Sequence, residues 1–150
     1  MRSSLFKLYA AALIIGIAAV GSAFAQQTMT FNVPFDFQIG KEKHDAGKYE
    51  MRTLDNAKFL LKNVETGENM ILVSGAQVGD ERTVETQKLV FNRYGETYFL
   101  REVYARAGTV GRELTESKAE RKIRQNRRKD DPQLADNKSE PAKVTVNSAQ

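Results

Sequence analysis

His44 is the one histidine in this 150-residue chain, and cysteine is absent. Those two facts remove most nucleophilic and metal chemistry. Without a thiol there is no cysteine nucleophile, no thiolate zinc centre and no disulfide framework, and a serine–histidine pair could draw only on His44. That histidine falls in the charged run Lys41-Glu42-Lys43-His44-Asp45, which reads as a solvated loop. A metal would have to be held by carboxylates and carbonyls alone, and no Asp-x-Asp-x-Asp-Gly run is present to form a calcium loop. The expectation is no cofactor, no metal site and no catalytic set.

Carboxylates can still do hydrolytic work in pairs, one as acid and the other as base or nucleophile across a cleft. Asp36, Glu50, Glu96 and Glu102 all fall on or beside strand-like segments. Carboxylates that alternate with apolar residues are, however, the ordinary wet face of a half-solvated sheet. A second group mixes cations with aromatic rings: Arg93, Tyr94, Tyr98, Arg101 and Tyr104. This is the composition of a ligand or partner face, and equally that of cross-strand pairing within a hairpin. A third group is Lys118, Arg121, Lys122, Arg124, Arg127, Arg128 and Lys129, seven cations against the single acid Glu120. Spaced along a helix, they could contact a polyanion through charge, or keep a solvated helix soluble.

Short apolar segments broken by Gly, Asn and Asp must position these residues. Thr28–Val33 and Phe35–Ile39 read as strands separated by Pro34, which cannot donate to a ladder. Alternation puts the Phe35 and Phe37 rings on one face and Asp36 on the other. Gly40–Gly47 reads as a polar loop and Lys48–Leu54 as an alternating strand. Lys58–Asn63 and Asn69–Ser74 form a hairpin around a spacer whose Gly67 can take positive φ. Gly75–Thr86 reads as a connecting loop. Lys88–Tyr94 and Thr97–Tyr104 flank Gly95-Glu96, the spacing of a two-residue hairpin turn. The core is expected from Phe35, Phe37, Tyr49, Met51, Leu61, Ile71, Val73, Leu89, Phe91, Phe99, Leu100 and Val103.

Past Gly111 the chemistry changes. Ser117-Lys118-Ala119-Glu120 fits a capping box opening a helix from Lys118 to about Arg128, with Glu120 reaching back to the cap. Its apolar stripe is only Ala119 and Ile123, so weak docking is expected. Lys129–Gln150, with two prolines and few large apolar residues, reads as disordered. The predicted architecture is mostly β: a compact antiparallel sandwich or small barrel of six to seven short strands, then one polar helix and a disordered tail.

The first residues carry an address. Arg2 and Lys7 precede an apolar run of thirteen residues, Leu8–Val20, and Ala23-Phe24-Ala25 supplies the small residues that signal peptidase requires. That run falls short of the roughly 20 residues of a bilayer-spanning helix. Cleavage is predicted between Ala25 and Gln26. With no cysteine the mature chain has no lipid anchor, and the run removed is its most hydrophobic, so no transmembrane span is expected to remain. The chain then divides into a signal peptide (1–25), a β domain (26–111), a basic helix (112–129) and a polar tail (130–150). The protein is expected in the periplasm or secreted. Charge is uneven: from Gln26 to Glu116 there are 12 basic and 14 acidic residues, and from Ser117 onward 9 and 5.

Four ordered blocks, Val33-Pro34-Phe35-Asp36-Phe37, Ala46-Gly47-Lys48-Tyr49, Leu89–Gly95 with Tyr98-Phe99-Leu100, and Gly111-Arg112-Glu113-Leu114 with Glu120-Arg121, resemble a group of small exported bacterial proteins. The similarity covers about residues 31 to 121. The group is functionally uncharacterised, so the resemblance implies export and brings no active site. This chain departs from the group at His44-Asp45, where Leu-Pro would be usual. The functional expectation is a non-catalytic binding or scaffold domain whose partner is an envelope protein or an anionic polymer. The alternatives are a small carboxylate-dependent hydrolase of an envelope polymer and a polyanion binder acting through the basic helix.

Overall fold

The computed structural model describes residues 28–79, 86–106, 110–130 and 141–149. The export segment and the Ala25–Gln26 cleavage point lie outside the described residues. So do 131–140, part of the predicted tail.

The strands are β1 (Thr28–Val33), β2 (Phe37–Ile39), β3 (Glu42–His44), β4 (Gly47–Thr53), β5 (Lys58–Asn63), β6 (Asn69–Val78), β7 (Lys88–Tyr94), β8 (Thr97–Tyr104), β9 (Gly111–Leu114) and β10 (Ala142–Ala149). One helix, α1 (Lys118–Asp130), lies between β9 and β10. Pairing runs β8-β7-β10-β1-β4-β5-β6-β9, and β9 pairs with β8 again, so eight strands close into a barrel. Every neighbour around that ring is antiparallel. Closure leaves the ring without an open edge, the arrangement that protects backbone donors and acceptors from pairing with other chains.

Period-two alternation fills the interior. Met29, Phe31 and Val33 of β1, Tyr49 and Met51 of β4, Phe59 and Leu61 of β5, Met70 and Leu72 of β6, Leu89 and Phe91 of β7 and Val146 of β10 belong to one buried cluster. The short β2–β3 hairpin sits outside the ring, joined to β8 by one parallel bridge, Gln38 to Phe99. Phe35 and Phe37 both place their rings edge-on to Phe91, at 5.2 and 5.3 Å, and Phe37 also meets Tyr49 at 5.2 Å. The hairpin, though outside the ring, thus packs its rings onto the buried cluster. The predicted common face for Phe35 and Phe37 is therefore present, with Asp36 turned to accept from the Ala46 amide at 2.9 Å.

Several expectations require correction. The barrel has more strands than the six or seven expected, because β9 and β10 carry too little apolar character to signal themselves; β3, likewise unsignalled, lies outside the ring. The tail is not disordered throughout: β10 inserts between β1 and β7 and pairs with β7 over six residues, Ala142 to Asn147. A strand there needs only Val144, Val146 and Ser148 facing inward, so its composition remains polar. The predicted loops at 40–47 and 75–86 are partly strand, since Gly40, at φ 66°, turns β2 into β3 and β6 continues to Val78. His44 is consequently not solvated; it is 3% exposed and packs against Phe37. In β6 the facing is the reverse of that predicted: Ile71 and Val73 are 64% and 59% exposed, while Met70 and Leu72 are buried. Cross-strand register decides this, because Met70 faces Leu61 and Leu72 faces Phe59, both interior residues.

The two predicted hairpins are present, with Gly67 at φ 76° and Gly95 at φ 65°. In the second, a bulge between Val90 and Phe91 leaves Arg101 as the extra residue on β8. Alternation shifts by one across it, which is why Leu100 and Val103 both face the core.

Candidate functional site

Outward positions of β7, β8, β9 and β10 form one wall. Register puts Asn92 opposite Lys143 and Glu102 opposite Glu113. Tyr94 lies two residues along from Asn92, on the same side. Helix α1 covers this wall. Ser117 caps the helix as expected, its hydroxyl accepting from the Glu120 amide at 3.0 Å. The Glu120 carboxylate does not reach back to the cap. It is turned onto the barrel, where Oε1 accepts from Asn92 Nδ2 at 2.7 Å and from the Tyr94 hydroxyl at 3.4 Å.

Because the helix reaches the barrel through long polar side chains, a cavity of 240 Å³ stays open between them. Its walls include Glu102, Glu113, Glu116 and Glu120 together with Arg101, Arg124 and Lys143. Three of the four carboxylates hold a cation. Lys143 Nζ donates to Glu102 at 2.6 Å, Arg101 to Glu113 at 2.7 Å, and Arg124 Nε to Glu116 at 2.8 Å. Arg101 also donates to the Leu114 carbonyl, which the bulge allows. Glu120, 3% exposed, touches no cation among the described residues and is held by two neutral donors.

Titration follows from these partners. The hydrogen bond from Arg124 lowers Glu116 below the ordinary carboxyl value, against a smaller opposing effect of burial. Burial raises Glu120, and the Asn92 hydrogen bond only partly offsets it. Two carboxyls four residues apart, Glu116 just before the helix cap and Glu120 in the first turn of α1, are thus driven in opposite directions. Burial, reinforced by the charge of Glu120, pushes the Tyr94 phenol up to about 12. Tyr104 donates to Glu102 Oε2 at 2.9 Å and is likewise pushed up to about 12, chiefly by burial.

The predicted aromatic–cationic face is divided by strand alternation. Tyr94 and Arg101 line the cavity under α1. Arg93 pairs with Tyr98 on the opposite side of the hairpin, its guanidinium 5.5 Å from the ring, and Tyr98 stacks on Phe35 at 4.0 Å. Tyr104 is buried beside Gly79 and Gly111 and reaches the cavity only through Glu102. Of the four carboxylates weighed for hydrolysis, Glu102 lies in the cavity under α1. Asp36 and Glu96 share a 130 Å³ cleft with Lys43 and Tyr98, while Glu50 stands elsewhere on β4.

Of the predicted polyanion contacts, Lys118, Lys122, Arg127 and Lys129 are exposed. Arg121 and Arg124 are both engaged by Glu116, and Arg127 lies 6.0 Å from the Tyr94 ring. The Arg128 side chain lies outside the described residues. Sequence reasoning missed Asn92 and misassigned Glu120. The one available signal was polar Asn92 within the apolar run Leu89-Val90-Phe91.

Among the described residues no group of three or more His, Asp or Glu side chains is placed to hold a metal ion. No described helix is long and apolar enough to cross a membrane. Comparison with protein-family models, with curated proteins and with solved structures found no match.

Proposed function

We propose that the protein is an exported, non-catalytic binding domain of the bacterial periplasm or extracellular space, and that its ligand occupies the cavity between α1 and the barrel wall. The carrying observation is Glu120, a buried carboxylate that makes no contact ion pair among the described residues, in a cavity where each of the other three lining carboxylates has one. A buried charge without its counter-charge is costly, and binding sites are where such groups persist. The barrel lumen is a poor alternative because Phe31, Tyr49, Met51, Leu61, Leu89 and Phe91 fill it. Amide NMR of the purified protein, titrated with soluble peptidoglycan fragments and with heparin, tests the reading. Shifts centred on Asn92, Tyr94 and Glu120 are expected. Shifts confined to Lys118, Lys122 and Lys129, lost with added salt, would replace it with polyanion binding along the helix.

A second reading has an observation in its favour. Carboxyls driven apart in pKa are how acid and base roles are assigned in hydrolases, and Glu120 and Glu116 are so driven. On that reading Glu120 would be the proton donor for glycan hydrolysis. Turnover of a soluble glycan that Glu120→Gln abolishes would establish it, and undiminished turnover in that variant would end it.

A further inference from the structure

We infer that the cavity under α1 takes a primary ammonium group, with the Glu120 carboxylate as its counter-charge and the Asn92 side-chain carbonyl as a second acceptor. The inference rests on the cavity being the ligand site. The Asn92–Glu120 hydrogen bond uses Nδ2 of one residue and Oε1 of the other. The other oxygen of each group is then without a donor among the described residues. Asn92 Oδ1 is buried and accepts from no donor, in a side chain that is 7% exposed overall. Glu120 Oε2 likewise has no donor among the described residues, since both donors to this carboxylate use Oε1. Both side chains line the same cavity.

Two acceptors lacking donors, one of them anionic, call for a compact cation carrying several hydrogens. An ammonium has three, tetrahedrally arranged. A hard divalent cation is a poorer complement, because it wants six or more oxygens and the other three carboxylates are already engaged by Lys143, Arg101 and Arg124. A guanidinium presents a planar fork that matches both oxygens of one carboxylate, and Oε1 is already committed here. The site also contains its own precedent, since Lys143 of β10 seats an ammonium on Glu102 of β8 on the same barrel wall. Burial raises the pKa of Glu120, and the Asn92 hydrogen bond and the more distant charge of Arg101 offset it only in part, which leaves room for a cation in direct contact.

Primary ammonium groups occur on diamines, on amino sugars and on lysine side chains, and the cavity admits a head group of this size. The test is calorimetry and side-chain NMR on the purified protein with cadaverine, glucosamine and Nα-acetyl-lysine amide, each against its N-acetylated, uncharged counterpart. At least one amine is expected to bind and to shift the Asn92 side-chain NH₂ signals, while the acetylated forms do not. Which amine binds tightest identifies the source. Glu120→Gln, which keeps the shape and removes the charge, should weaken binding about tenfold or more. If that variant does not fold, the Asn92 side-chain signals of the unaltered protein decide alone. Binding of the acetylated forms as tightly as the amines, with shifts at Asn92, would overturn the ammonium assignment and leave the cavity as the ligand site. Amine binding with shifts only at distant residues would overturn both.

Discussion

Tyr104 lies across the α-carbon of Gly111, so closely that a β-carbon there would stand 2.5 Å from the ring. No real β-carbon contact is that short, and the ring has little freedom to yield. Its hydroxyl is held by Glu102 at 2.9 Å and its face by Lys88, 4.6 Å from the centroid. The barrel closes at this contact, because β9, which begins at Gly111, joins β6 to β8.

Gly111→Ala should therefore destabilise the protein by about 1–3 kcal/mol through overpacking. Urea denaturation measures the loss. Measured in a Tyr104→Ala background, where the ring is gone, Gly111→Ala should cost clearly less than in the parent, and an equal cost in both backgrounds would show that the ring is not the obstacle.

Removing residues 142–150 should open the barrel between β1 and β7. Eight-strand closure depends on β10, and loss of its ladder exposes two strand edges and the interior around Val146. The truncated protein is expected to lose cooperative thermal unfolding and to bind a hydrophobic dye. Unchanged unfolding would mean that the strand contributes nothing to the ring.

On β6, Leu72→Ala should cost about 2–5 kcal/mol, the range for a large buried side chain. Ile71→Ala, one residue away and exposed, should stay within about 0.5 kcal/mol. Comparing the two by denaturation reads the facing of the strand directly.

Glu120→Gln should raise stability at neutral pH. A carboxyl raised in the folded state contributes stability that is fully present below its ordinary value of 4.5 and is lost as pH rises through the higher folded value. The amide removes that loss, so the midpoint of thermal unfolding for the variant should overtake the parent as pH rises from 4 to 7. Glu116 acts oppositely, giving stability above 4.5 that is lost as pH falls through its lowered folded value. Glu116→Gln should accordingly be less stable than the parent at neutral pH.

At the alkaline end, Tyr94 and Tyr104 should resist ionisation to about pH 12. Phenols raised from 10 stabilise the fold fully below 10 and lose that contribution as pH approaches 12. Burial raises the Tyr49 phenol as well, so ultraviolet titration of the folded protein, repeated in denaturant, should show three phenols moving down to the ordinary value.

Local chemistry by itself determined a good part of this protein. Alternation in Lys88–Tyr94 and Thr97–Tyr104, with Gly95 between them, predicts the second hairpin; Gly67 does the same for the first, and Ser117 marks the start of α1. Those features depend on neighbours in the chain, on φ preferences and on period-two facing, all of which are carried by short segments.

What only the tertiary structure decided depends on which strand lies beside which. The facing of Ile71 and Leu72 is ambiguous in an apolar run and is settled by Leu61 and Phe59 across the ladder. Ala142–Ala149 has little apolar content of its own and becomes a strand because β1 and β7 leave a gap of its width. His44 is charged-loop sequence that β2 carries into the core. The candidate site is the extreme case: Asn92 and Glu120 stand 28 residues apart, and the capping position that local pattern assigns to Glu120 is a real option for its side chain. The helix instead presents that carboxyl to the outer wall of the barrel, where burial and an unpaired carbonyl give it a chemistry that no local pattern contains.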